Sequence, residues 1–419
     1  MINIIHVIII ITIIYLSYEK AKAQVLYKFF LPAIIYKMLA GISVGLLYFY
    51  YYGYGDTILY FNDASEVSDL FYYNWKSYFL FLLDIDSTHL HYEDNYRALF
   101  FVKLISPIVV LTYKNYWITS AYLSLLSFFS CWYLVKNINK YYPRLVIGAI
   151  VALLFVPSIV FWSSGIMKES ISMTLIAMLS SYFIQLINDD FKEPVSKVIF
   201  GILFSFLLFQ LKYYYAAVFL LSIFPTIILK LILWRIEIKY KVISWLILLI
   251  FAIIGVSFLH PNLDLQHLVD VTISNNKLYN HHIGLDKTIH YYHLENNIWS
   301  VLINAPWAIV SALFRPFIFE AGSILQFMLG IENMFVLATL LFFPFRIIKK
   351  VKVELPVLLT CFTYIIVLCI FLALSTPNFG TLSRYRISFL PFFIILISYK
   401  NPLIEKLANL KLRIGIRKT

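Results

Sequence analysis

The chain has 419 residues, of which 61% are hydrophobic and only 13% charged, and its mean hydropathy is +0.82. Soluble domains carry about 25% charged residues, so a soluble globular fold is excluded. A net charge of +12 does not make a nucleic-acid binder here, because the Lys and Arg are dispersed between apolar runs and form no single basic face.

Apolar runs at 2–17, 30–52, 116–135, 145–162, 166–187, 197–212, 214–233, 241–259, 333–348, 356–375 and 386–399 are long enough to cross about 30 Å of hydrocarbon as tilted helices. The expectation is an all-α, polytopic membrane protein of about eleven spans, with residues 1–419 forming one integral membrane domain. The first run resembles a signal peptide, with Ala21-Lys22-Ala23 behind it. No Lys or Arg precedes that run, whereas Lys20, Lys22 and Lys28 follow it, so an uncleaved span with its N-terminus outside is expected.

Charge then orients the rest. Segments 18–29, 136–144, 188–196, 234–240 and 349–355 and the tail 400–419 hold Lys136, Lys140, Arg144, Arg235, Lys239, Lys349, Lys350, Lys352, Arg413, Arg417 and Lys418, the positive-inside pattern of cytoplasmic segments. Outside lie two long loops, about 52–115 and 260–332, and short turns at 163–168, near 212–213 and at 376–386. The long loops hold most of the acidic residues and eight of the nine histidines. Stretches 99–113 and 299–319 carry proline and a basic residue (Lys103, Pro107; Pro306, Arg315, Pro316) and are expected as outer-face interfacial or re-entrant helices. No internal repeat is evident. Cys131, Cys361 and Cys369 show no metal-like spacing.

Candidate chemistry collects on the outer side. Gly55-Asp56-Thr57, with Tyr60 after it, stands where the second span ends. A carboxylate there suits a general base acting on a lipid-borne substrate, and it equally suits a cap for a helix beginning at Thr57. Asp63, Glu66, Asp69, Asp84, Asp86, Glu93 and Asp94 follow, as a solvated face or, for one of them, a ligand to a divalent cation.

Ser163-Ser164-Gly165-Ile166-Met167-Lys168-Glu169-Ser170 turns into the fifth span, with a serine cap and Glu169 in accord with the helix dipole. Lys168 opposes that dipole. It either holds an anion at the helix start or snorkels to headgroups. Arg384 and Arg386 precede the last span, as a grip for phosphate or as headgroup contacts. Arg315 with Glu320 is either a structural pair or a substrate-positioning one. His281, His282, His290 and His293 match no strong zinc spacing.

Four features together resemble bacterial envelope-glycan proteins of the GT-C glycosyltransferase type. They are Gly55-Asp56-Thr57…Tyr60 opening a long outer loop, the two irregular stretches near 99–113 and 299–319, Arg384-Tyr385-Arg386…Pro391, and the Phe161–Glu169 and Phe314-Arg315-Pro316-Phe317 runs. The resemblance implies inverting transfer of a sugar from a polyprenyl-phosphate donor to an envelope acceptor, at the outer face of a bacterial cytoplasmic membrane. It implies Asp56 as base and Arg384 and Arg386 as donor-phosphate ligands. Lys168 is added from electrostatics, and Tyr60, Glu169 and Arg315 complete the candidate substrate-binding set. Many members have a carboxylate pair where Thr57 follows Asp56 here, which leaves a divalent-cation cofactor open.

An O-antigen-polymerase or ligase-like protein acting on undecaprenyl-diphosphate glycans shares the architecture and would use the same arginines. A lipid-linked-sugar flippase or transporter would place charge deep in its spans, where this sequence shows little beyond Lys37. The expected partners are a polyprenyl-phosphate sugar or lipid-linked glycan and membrane lipids, with no nucleic acid.

Overall fold

The computed structural model describes residues 2–85, 89–189, 194–233, 237–259, 264–283, 288–343 and 353–411. Asp86, Arg235, Lys349, Lys350, Lys352, Arg413, Arg417 and Lys418 lie outside them, and with them much of the basic pattern used for orientation. All regular structure among the described residues is helical. Eight helices there are long and apolar enough to cross a membrane, or nine if one bent pair counts as a span. This is a helical membrane protein.

The first helices match the apolar runs. α1 (Ile2–Lys22) packs at the rim, and α2 (Tyr27–Leu46) continues as a π-helical turn to Tyr52. His6 ties α1 to the bundle: its Nε2 donates to the Leu111 carbonyl at 2.9 Å, and its Nδ1 accepts from the Tyr122 hydroxyl at 2.9 Å.

The first long segment expected outside, 52–115, is not a loop. It folds into α3 (Asp56–Tyr73), α4 (Trp75–Leu82) and α5 (Tyr96–Leu111), with α3 packed on α5. Asparagines punctuate it, since Asn74, Asn95 and Asn115 each accept backbone N–H groups at the start of the next helix. α6 (Tyr116–Tyr141) and α9 (Lys168–Asn188) form the most buried pair of the bundle. Between them the expected span 145–162 is broken. α7 (Val146–Ile150) runs into a π turn, Val156 is extended, and Pro157 starts the short α8 (Pro157–Trp162), because the residue before proline is driven out of the helical region.

α10 (Val195–Ile228) reverses direction at Lys212, whose φ of −150° and ψ of 80° are not helical. The contacts show the reversal. On the way in, Lys197 bonds Gln185, Phe204 stacks on Tyr182 and Lys212 reaches Glu169, so this limb runs antiparallel to α9. On the way out, Ile223 and Ile227 pack against Phe183 and Ile187, back at the α9 C-terminal end. The expected turn near 212–213 is therefore the tip of a helical hairpin. α11 (Ile238–Leu259) lies outside it.

The second long segment is helical too: α12 (Leu265–Ile283), α13 (Ile298–Phe314) and the first turns of α14 (Ile324–Leu341). α13 starts level with the end of α15 (Leu355–Ser375), where Tyr291 bonds the Ala373 carbonyl. It stops beside the middle of the bundle. There the cis Arg315–Pro316 bond turns the chain back and the Arg315 carbonyl meets Arg386. Within 299–319, expected as an interfacial or re-entrant helix, the chain forms an apolar helix too short to count as a span, followed by a turn. The span expected at 333–348 begins at Ile324 instead. The last span is also broken, into α16 (Phe379–Tyr385) with a 3-10 turn to Ser388 and α17 (Leu390–Ile397), bent by 66°. α18 (Pro402–Lys411) follows.

Candidate functional site

Four chain segments meet at one end of the bundle. They are the turn from α2 into α3, the turn into α9, the α10 tip and α16. Two glycines with positive φ make the first two turns. Gly55 (φ +139°) leads into α3, where a Cβ would stand 2.6 Å from the Tyr48 ring, and Gly165 (φ +72°) turns the chain toward α9.

Arg384 joins three of these segments. Its Nη1 donates to Asp56 Oδ2 at 2.6 Å and its Nε to Glu169 Oε1 at 3.1 Å. Lys212 Nζ donates to the same Glu169 oxygen at 2.6 Å and lies 3.9 Å from the centre of the Tyr385 ring. Glu169 is fully buried, Lys212 is 4% exposed and the Arg384 side chain 14%, whereas the Asp56 side chain is 35% exposed. The cluster is therefore a closed ionic core with one carboxylate at its open edge. Tyr92 donates its hydroxyl to Asp56 Oδ1 at 3.3 Å. Burial, with the charge of Asp56 next, raises the pKa of Tyr92 and of Tyr60 well above the ordinary phenol value, so both stay neutral.

Two more cations stand at the rim. Lys168 Nζ lies 5.1 Å over the Tyr60 ring and within electrostatic reach of Asp56, Glu169, Arg384 and Arg97. The Arg97 guanidinium lies 4.8 Å over the ring of Tyr213, next to the hairpin tip. Neither forms a carboxylate ion pair among the described residues. Four cations against two carboxylates leave this end of the bundle with a surplus of two positive charges.

Neither capping reading describes these residues. α3 begins at Asp56 itself, without a side-chain cap, and the Asp56 carboxylate is taken by Arg384 and Tyr92. α9 begins at Lys168 after an uncapped Met167. Ser163 instead accepts from Lys37 Nζ at 2.6 Å, and Ser164 bonds the Val160 carbonyl.

Arg315 and Arg386 face elsewhere. Arg315 pairs with Glu320 through Nε at 2.9 Å and lies 5.0 Å from the Trp307 ring. Arg386, 1% exposed, donates from Nη1 to Asn333 Oδ1 at 2.8 Å, while its Nε and Nη2 have no hydrogen-bond partner among the described residues. Glu332 beside it accepts from the Ser158 backbone at 2.8 Å and hydroxyl at 2.5 Å. The bundle interior is thus more charged than the apolar runs suggest. No three His, Cys, Asp or Glu converge among the described residues, and both carboxylates of the cluster are engaged by cations, so the donor set does not fit a divalent cation.

Lys212, Arg97, Tyr92 and Tyr48 are site residues that sequence reasoning missed. Lys212 had a signal, as the sole charge between Lys197 and Lys230. The others had none. Fold and site together define a polytopic helical membrane protein with a net-cationic cluster at one end of its bundle. No family model, curated protein or solved structure matches the chain, so its function is argued from that site.

Proposed function

We propose that this protein transfers a sugar from a polyprenyl-phosphate-linked donor to an envelope glycan or lipid acceptor at the outer face of a bacterial cytoplasmic membrane. The observation that carries the reading is a half-exposed carboxylate, Asp56, bound to a cluster with two surplus positive charges at one end of the bundle. Lys168 and Arg97 hold the donor phosphate. Arg384 fixes Asp56, and Glu169 with Lys212 fixes Arg384. The acceptor hydroxyl gives its proton to Asp56 as its oxygen bonds the anomeric carbon, and the bond from that carbon to the phosphate oxygen breaks to release polyprenyl phosphate.

A second reading draws on the same surplus. A diphosphate-linked glycan brings two negative charges where a monophosphate-linked sugar brings one, so the charge count favours a polymerase or ligase acting on undecaprenyl-diphosphate glycans. Proteoliposomes carrying wild type or Asp56→Asn separate the two, each assayed with a panel of polyprenyl-phosphate sugars and with a diphosphate-linked oligosaccharide. Transfer from a monophosphate donor that falls at least a hundredfold in Asp56→Asn supports the transferase. Activity on the diphosphate donor alone supports the polymerase, and equal activity of the variant removes Asp56 as base.

A further inference from the structure

Beneath the charged cluster, the two limbs of α10 and the face of α9 enclose a lipid-side groove of about 370 Å³. It is lined by Leu179, Tyr182, Gly201, Ser205, Phe219 and Ile227 among others. Phe183, Phe219 and Ile223 also line a neighbouring, mainly apolar cavity of about 90 Å³. We infer that this groove seats the isoprenoid chain of the carrier lipid whose phosphate is held at the cluster, an inference that rests on the function proposed above.

Depth is the argument. Ser205 and Phe219 each lie seven residues from Lys212, about 10 Å below the hairpin tip at 1.5 Å per residue. Lys197 and Ile227 lie fifteen residues away, about 22 Å below it. The same two elements therefore carry the anion site at the top, through Glu169 and Lys212, and the groove beneath it. One leaflet of hydrocarbon is only about 15 Å deep. An ordinary acyl chain anchored at the tip ends partway down this groove, whereas a long isoprenoid chain fills it and passes the bilayer midplane.

Gly201 makes the groove testable. A Cβ there would meet only the Tyr182 ring, at 3.9 Å, so a larger side chain enters the groove without displacing backbone. The probe is a 55-carbon polyprenyl phosphate with a diazirine near its distal end, photolysed with the full-length protein in lipid nanodiscs. Labelling is expected in 197–205 and 219–227, with at least a tenfold loss in Gly201→Trp at an unchanged melting temperature. Val198→Trp, at the exposed rim of the groove, serves if Gly201→Trp does not fold.

A farnesyl phosphate probe should leave the deep residues 197–201 and 223–227 unlabelled, and excess phosphatidylglycerol should not displace the long probe. Labelling of wild type elsewhere, unchanged labelling in both variants, or displacement by phosphatidylglycerol would overturn the inference. Because the readout needs no turnover, labelled grooves without transfer count against the transferase reading alone, and transfer without groove labelling counts against this inference alone.

Discussion

Glu169→Gln isolates what holds the site together. The substitution keeps shape and removes one charge from a carboxylate oxygen shared by Lys212 at 2.6 Å and Arg384 at 3.1 Å. At an effective dielectric of 20 those contacts amount to gross attractions of about 6 and about 5 kcal/mol. Desolvation, at several kcal/mol per buried ion, consumes most of that sum. What the variant leaves behind is a lysine and an arginine in a nearly closed core with Asp56 as their one counter-charge. Breaking a buried pair in this way costs about 3–5 kcal/mol.

Equilibrium unfolding in mixed micelles, with a double-mutant cycle through Lys212→Met, measures it. The double variant removes the orphaned lysine and should recover at least about 1.5 kcal/mol. Lys168→Gln is the control, one residue away on the same helix turn. It has no carboxylate partner, so it should cost no more than about 1 kcal/mol. A Glu169→Gln protein within about 1 kcal/mol of wild type, or a Lys168→Gln protein equally destabilised, would refute the ionic-core argument.

Lys168→Gln and Arg97→Gln should instead raise the donor KM at least tenfold with the fold intact, checked by initial rates against donor concentration. Arg386→Met should leave that KM within twofold and the stability unchanged or higher, since two of its nitrogens are buried without hydrogen-bond partners among the described residues; micelle unfolding and the same rates check both. Gly55→Ala should destabilise by about 1–3 kcal/mol, because φ of +139° suits glycine and the new methyl meets the Tyr48 ring at 2.6 Å; thermal unfolding reads it directly.

The helical membrane class was legible in the sequence, because hydrocarbon imposes a length and an apolarity that no tertiary contact relaxes, but eight or nine helices among the described residues, against about eleven expected spans, are long and apolar enough to cross. The runs at 2–17, 30–52, 116–135, 166–187 and 356–375 all became single helices, and the turn near 212–213 became a hairpin tip. The breaks were harder to read. Val156-Pro157 and Phe389-Leu390-Pro391 interrupt spans that hydropathy alone joins, since proline changes backbone geometry without changing apolarity. The two long segments expected outside read as loops because their charges hide helical content. Lys103 with Asp84 and Lys114 with Asp69 pair across elements in a way no local pattern displays.

The site shows where local reasoning inverts roles. From sequence, Lys168 looks exceptional and Glu169 ordinary, since only the lysine opposes the helix dipole. One residue along a helix is a rotation of about 100°, at 3.6 residues per turn, and that rotation decides the matter. Glu169 faces inward to residues 43 and 215 positions away, while Lys168 stays at the rim over Tyr60. Arg384 and Arg386 illustrate the same rule at a spacing of two, which turns them apart rather than together. One meets Asp56 and Glu169, and the other meets Asn333 deep in the bundle. A pair of arginines that reads as one phosphate clamp is therefore split between the rim cluster and a buried position, and the two cations at the rim without a carboxylate ion pair among the described residues are Lys168 and Arg97.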